Sequence, residues 1–201
     1  MPKKSQPKFI SPKSVLSDLG LNPGETVVEY ASGAGHWALA AATLVGPTGS
    51  VLALENDIGM LELLLSTAST LKLSNVDIEE IDLVNGVSKK ANKADLVIVA
   101  NTLYSITDKD AFAAKASKIV KTGGKLLLID WIPRTTLLGP PIEFRLTEEK
   151  VIACFEKAGL KFACTVDTGC QHFGLVFDHV GEGCGWKQAG DIQALEEYDE
   201  S

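Results

Sequence analysis

The chain has 201 residues, enough for one domain with a full core and few for two. Its composition is globular, with 45% hydrophobic and 22% charged residues, and its formal net charge is −7. An acidic body without a basic stripe argues against tight nucleic-acid binding, and no apolar run approaches the roughly 18 residues that would read as a membrane-crossing helix.

The N-terminus, MPKKSQPKFISPKS, is basic but has no apolar core segment and no cleavage pattern. It reads as a solvated arm over residues 1–11, and a cytoplasmic chain is expected. Residues 182–201 carry six acids and one lysine, which reads as a loose acidic tail. The span between, to residue 181, reads as one domain.

Short apolar runs rich in β-branched residues read as buried parallel strands. They are TVVEY (26–30), SVLALE (50–55), VDIEEI (76–81), DLVIVA (95–100) and GKLLLIDWI (124–132). Stretches with helical periodicity lie between them: HWALAAATLV (36–45), MLELLLSTASTL (60–71) and DKDAFAAKASKIVK (108–121). Asp108 is placed to cap the last of these, and Gly123 and Gly124 to end it. This alternation predicts an α/β, three-layer αβα architecture with a doubly wound, mostly parallel sheet.

The pattern changes after a helix predicted over 147–158. LKFACTVD (160–167) and HFGLVFDHV (172–180) are separated by too few residues for a crossover helix. They must pair antiparallel, so the sheet gains one reversed strand near an edge.

The turn after the first strand, in EYASGAGHWALA (29–40), holds the main chemical signal. Gly33 and Gly35 let backbone amides approach a ligand at a helix N-terminus. Glu55, at the end of the second strand, is placed to accept from both ribose hydroxyls. The stretch from Gly33 to Ala38 also matches the dinucleotide pattern, so an NAD(P)-dependent oxidoreductase is one reading. Glu29 argues against it. A carboxylate at this turn repels a pyrophosphate and attracts an ammonium or sulfonium.

Here the chain resembles the class I, seven-stranded, Rossmann-like S-adenosylmethionine-dependent methyltransferases of the type 11 kind, over roughly residues 11–180. Their acid-x-G-x-G-x-G motif falls on Glu29 through Gly35. The resemblance implies methyl transfer from S-adenosyl-L-methionine to a small molecule or protein side chain. It implies cofactor contacts at Glu29, Ala31, Ser32, Gly33, Gly35, Glu55, Asp82, Leu83 and Asn101; Asn56, beside Glu55, is a further candidate, and His36 reads as a cofactor-side contact or a plain helix-start residue. Where the motif has its first glycine this chain has Ala31. That substitution is cheap at negative φ and strained at positive φ. A non-catalytic interaction module on the same fold is a further reading.

Ligands of such sheets bind beyond the carboxyl ends of the strands. Tyr104 and His172 are the candidates there for orienting the acceptor or removing its proton. Trp37 reads as core. Glu143 and Arg145 read as loop charges able to meet a charged substrate, and Asp130 as a pocket wall or a turn cap. Cys164, Cys170, Cys184 and His172 match no established metal-ligand spacing, and no metal is expected.

Overall fold

The computed structural model describes residues 11–179 except 92 and 137. The basic arm before Ser11, the acidic tail and Cys184 lie outside the described residues.

Seven strands form one sheet in the order β3-β2-β1-β4-β5-β7-β6. They are β1 (Thr26–Tyr30), β2 (Ser50–Glu55), β3 (Val76–Glu80), β4 (Ala94–Ala100), β5 (Val120–Trp131), β6 (Lys161–Val166) and β7 (His172–Asp178). The first five are parallel, whereas β7 runs antiparallel to both β5 and β6. The strand order reverses direction between β1 and β4, where a crevice opens past the strand ends.

Among the described residues five helices cover the sheet: α1 (Pro12–Asp18), α2 (His36–Val45), α3 (Ile58–Thr70), α4 (Lys109–Ile119) and α5 (Glu148–Lys157). Alternation along β1 divides its side chains between two apolar layers. Val28 and Tyr30 join Phe112, Phe155 and Phe177 beneath α4 and α5. Val27 joins Leu16, Trp37, Leu61 and Leu64 beneath α1, α2 and α3. Each fully buried Leu or Phe in these layers contributes about 1.5–3 kcal/mol. Tyr30 also meets Phe112 edge-on at 5.0 Å and donates its hydroxyl to the Leu83 carbonyl at 2.7 Å. Glu29 shares the α2 side with Val27, and its position beside that helix follows from the alternation.

One expectation needs correction. Gly123 and Gly124 do not end a helix. α4 stops at Ile119, β5 begins at Val120, and the glycines lie inside that strand opposite a register shift between Ala94 and Leu96. A Cβ on Gly124 would come within 2.8 Å of the Ala94 carbonyl, so close strand approach explains the glycine. α1 was not foreseen; Ser11 caps it through the Ser14 amide, and Pro12 occupies its first turn. No helix connects β3 and β4 among the described residues. Asp108 does cap α4, accepting from the Ala111 amide at 2.9 Å.

Candidate active site

The glycine-rich turn is held by hydrogen bonds from its own amides. Leu54 O accepts from the Ala31 and Ser32 amides at 2.9 and 3.0 Å, and Gly35 N–H closes back onto Ser32 O at 2.8 Å. Ala31 is left-handed, with φ of +68°. For an L-residue this costs about 1–2 kcal/mol, so the strained branch of the sequence expectation is the one realised.

The two glycines of the turn face different surroundings. Gly33 has φ of +49°, and a Cβ on it would meet nothing within 4 Å. Gly35 has φ of +74°, and its Cβ would fall 2.3 Å from Leu64 Cδ1. Gly33 lines the central cavity, whereas Gly35 lets α2 pack against α3 and does not line it.

That cavity has a volume of about 980 Å³ at the β1/β4 switch point. Its size suits a nucleoside-sized cofactor with a small second ligand. Glu29, Ala31, Ser32, His36, Glu55, Asn56, Leu83 and Asn101 line it, as do Tyr104 and His172. Among the described residues no lysine or arginine does so.

Glu29 is 2% exposed, and its Oε2 accepts from the Ala38 amide in the first turn of α2 at 2.8 Å. Burial pushes its pKa up to about 8; the Ala38 hydrogen bond opposes this and the Glu55 carboxylate adds to it. Glu55 is also buried. Its Oε2 accepts from Gly33 N–H and its Oε1 from Asn56 N–H, both at 2.8 Å. Each oxygen keeps acceptor capacity for a further donor. Asn101, with φ of +54°, takes a conformation that asparagine tolerates, and its amide donates to Ile129 O at 2.8 Å.

Asp82 lies outside the lining. Its exposed carboxylate accepts from the Val84 and Asn85 amides of its own turn, and the neighbouring Leu83 faces the cavity instead. Trp37 is 5% exposed and serves both the core and the cavity wall. Asp130 is buried behind the wall and ties β5 to the 3-10 turn Leu103–Ser105, which carries Tyr104. It accepts from the Leu103 amide at 3.2 Å and the Trp131 amide at 2.8 Å. Burial raises its pKa to about 6, against the opposing pull of these two amides.

At the far end of the cavity the His172 ring stacks on Trp131, with centroids 4.1 Å apart. Its Nε2 is buried without a hydrogen-bond partner. Desolvation, then the Arg145 charge, lowers its pKa to about 4, so His172 is neutral near pH 7.

Arg145 is a loop builder. It donates to the carbonyls of Ile132, Arg134, Leu138 and Pro140 and to Thr136 Oγ1, and it sits 5.4 Å from the Trp131 ring centre. This brings Leu138 to the cavity. Glu143 is exposed and not part of the lining.

Sequence reasoning did not name Pro12, Met60, Thr168 or Gln171 as cavity walls. No group of three or more His, Cys, Asp or Glu could hold a metal among the described residues.

A family model described as a methyltransferase domain matches residues 21–169. Over 120 residues the chain is 32% identical to a ubiquinone/menaquinone biosynthesis C-methyltransferase from Cupriavidus necator, covering 58% of this chain and 47% of that one. It is 25% identical over 131 residues to a demethylmenaquinone methyltransferase from Oceanobacillus iheyensis, covering 63% and 52%. The chain thus spans about half the length of these curated relatives. A crystal structure of a SAM-dependent methyltransferase from Aquifex aeolicus superposes with a TM-score of 0.79 at 27% identity, covering 86% of this chain and 91% of that one.

Proposed function

The chain belongs to the family of methyltransferase domains, and on that premise we propose that it transfers a methyl group from S-adenosylmethionine to a small-molecule acceptor. The observation that carries the reading is the acidic lining of the cavity. Among the described residues two buried carboxyl groups and no lysine or arginine line it, so it can offer a carboxylate to a cationic cofactor and presents no basic side chain to a pyrophosphate. The open space over Gly33 fits the same group, because the backbone there is bare where a ligand must come close.

When bound, the cofactor supplies an electrophilic methyl on a sulfonium. Glu29 is the residue for its cationic amino-acid end and Glu55 for its ribose hydroxyls. Gly33, Leu83 and Asn101 complete that half of the cavity. Transfer then depends on holding an acceptor in line and excluding water. Trp131, held down by the Arg145-built loop, and His172 supply an apolar wall with one unpartnered polar atom. A histidine with a pKa near 4 is a weak proton acceptor at neutral pH. His172 therefore orients the acceptor, and Tyr104 lies where it can assist. The relatives named for ubiquinone and menaquinone biosynthesis support a small-molecule acceptor over a protein side chain.

The test is incubation with methyl-labelled S-adenosylmethionine and separated pools of metabolites, protein and RNA from cells. Label in the metabolite pool supports the proposal. Label confined to protein or RNA, or found in none, overturns it.

A further inference from the structure

The acidic end of the cavity has a consequence for the protons that accompany binding. Glu29 projects from the end of β1 between two elements that bring no countercharge. Glu55 stands on β2, and His36 opens α2. Tyr104 and His172 lie across the cavity, and Asp130 is buried behind its wall. At 2% exposure the Glu29 carboxyl has lost nearly all its water, and its Oε2 is met by one amide, Ala38 N–H. A carboxylate in such a place, with a second carboxyl in the same cavity, is costly until a cation arrives.

We infer that Glu29 holds its proton in the free protein and surrenders it when the cationic end of the cofactor binds, so that cofactor binding is coupled to release of one proton. The proton passes from the Glu29 carboxyl to solvent, and an ammonium–carboxylate ion pair takes the place of the neutral acid. This rests on the cofactor reading above. The direction of the Glu29 shift, upward to about 8, agrees with it. The cofactor end of the site is then a proton-linked lock: a neutral ligand does not displace the proton, whereas a cationic one does. Affinity rises with pH until the free protein itself ionises at Glu29.

The experiment is isothermal titration of the full chain with S-adenosylhomocysteine, which retains the ammonium, at pH 7 in phosphate and in Tris. These buffers differ in ionisation enthalpy, so the difference in observed heat counts protons. The expectation is release of close to one proton, and a dissociation constant that falls about tenfold per pH unit between pH 6 and 8 before levelling. Glu29→Gln, which keeps an acceptor for the Ala38 amide, releases none and shows no such slope. The infrared spectrum of the free protein at pH 7 gives an independent readout. A protonated-carboxyl C=O band is expected that disappears on binding and is missing from E29Q. Binding with equal heats in both buffers, or a band unchanged by binding, overturns the inference and leaves the cofactor reading standing. Absence of binding at every pH overturns both.

Discussion

Adding one methyl to each glycine of the β1–α2 turn separates the two functions of that turn. At Gly35 the new Cβ falls 2.3 Å from Leu64 Cδ1, 2.8 Å from Cδ2 and 2.9 Å from Cγ, and Leu64 is fully buried. Overpacking costs about 1–3 kcal/mol and left-handed strain about 1–2 kcal/mol, while a stiffer unfolded chain returns about 0.4–1 kcal/mol. Gly35→Ala should therefore lose about 1–4.5 kcal/mol, or roughly 2–18 °C in Tm for a chain of this size. At Gly33 the strain remains but no atom lies within 4 Å. Gly33→Ala should lose only about 0–1.5 kcal/mol, yet its methyl occupies the cofactor approach. An obstruction worth about 1–3 kcal/mol weakens S-adenosylhomocysteine binding by about ten- to a hundredfold. Urea unfolding and calorimetric titration of both variants measure the split. Equal stability losses with unchanged binding in G33A, or a folded and stable G35A with weakened binding, would refute the reasoning.

Three further outcomes are expected. Ala31→Gly releases about 1–2 kcal/mol of strain but loses about 0.8 kcal/mol of methyl burial and about 0.4–1 kcal/mol through the unfolded chain, so urea unfolding should find it within about 1 kcal/mol of the parent. Glu55→Gln removes a charged acceptor worth about 1.5–3 kcal/mol and leaves one of the Gly33 and Asn56 amides facing an NH2 group, which predicts roughly ten- to a hundredfold weaker S-adenosylhomocysteine binding and a Tm lower by about 2–12 °C. Stability without cofactor should fall as pH rises from 6.5 to 8.5. In that window the folded chain retains a proton on Glu29, with a pKa near 8, that the unfolded chain, at its ordinary 4.5, has given up. Asp130 has the same sign but acts between 3.8 and about 6, below the window, and Glu29→Gln should flatten the dependence above pH 6.5.

The sheet was legible because strands buried on both faces must be apolar almost continuously, and TVVEY, SVLALE and DLVIVA are. The reversed strand was legible from chain length alone, since the gap between β6 and β7 leaves no room for a crossover. The misread glycine pair at 123–124 shows the limit. Glycine marks a helix end or a close strand approach equally well, and only the partner strand, with its carbonyl at Ala94, decides which. The same ambiguity hid the division between Gly33 and Gly35, which depends on Leu64, 29 residues along the chain from Gly35. Glu29 and Glu55 were readable because they stand at the ends of the two strands that flank the glycine-rich turn. Leu138 and Gln171 reach the cavity through the Arg145-built loop and the β6–β7 turn, neither of which has a periodicity to read.

The central claim is that this cavity takes a cationic nucleoside cofactor and not a pyrophosphate. Calorimetric titration of the intact chain with S-adenosylhomocysteine and, separately, with NADH tests it most directly. Saturable one-to-one binding of S-adenosylhomocysteine with no heat from NADH is the predicted result. Binding of NADH with none of S-adenosylhomocysteine would contradict the account.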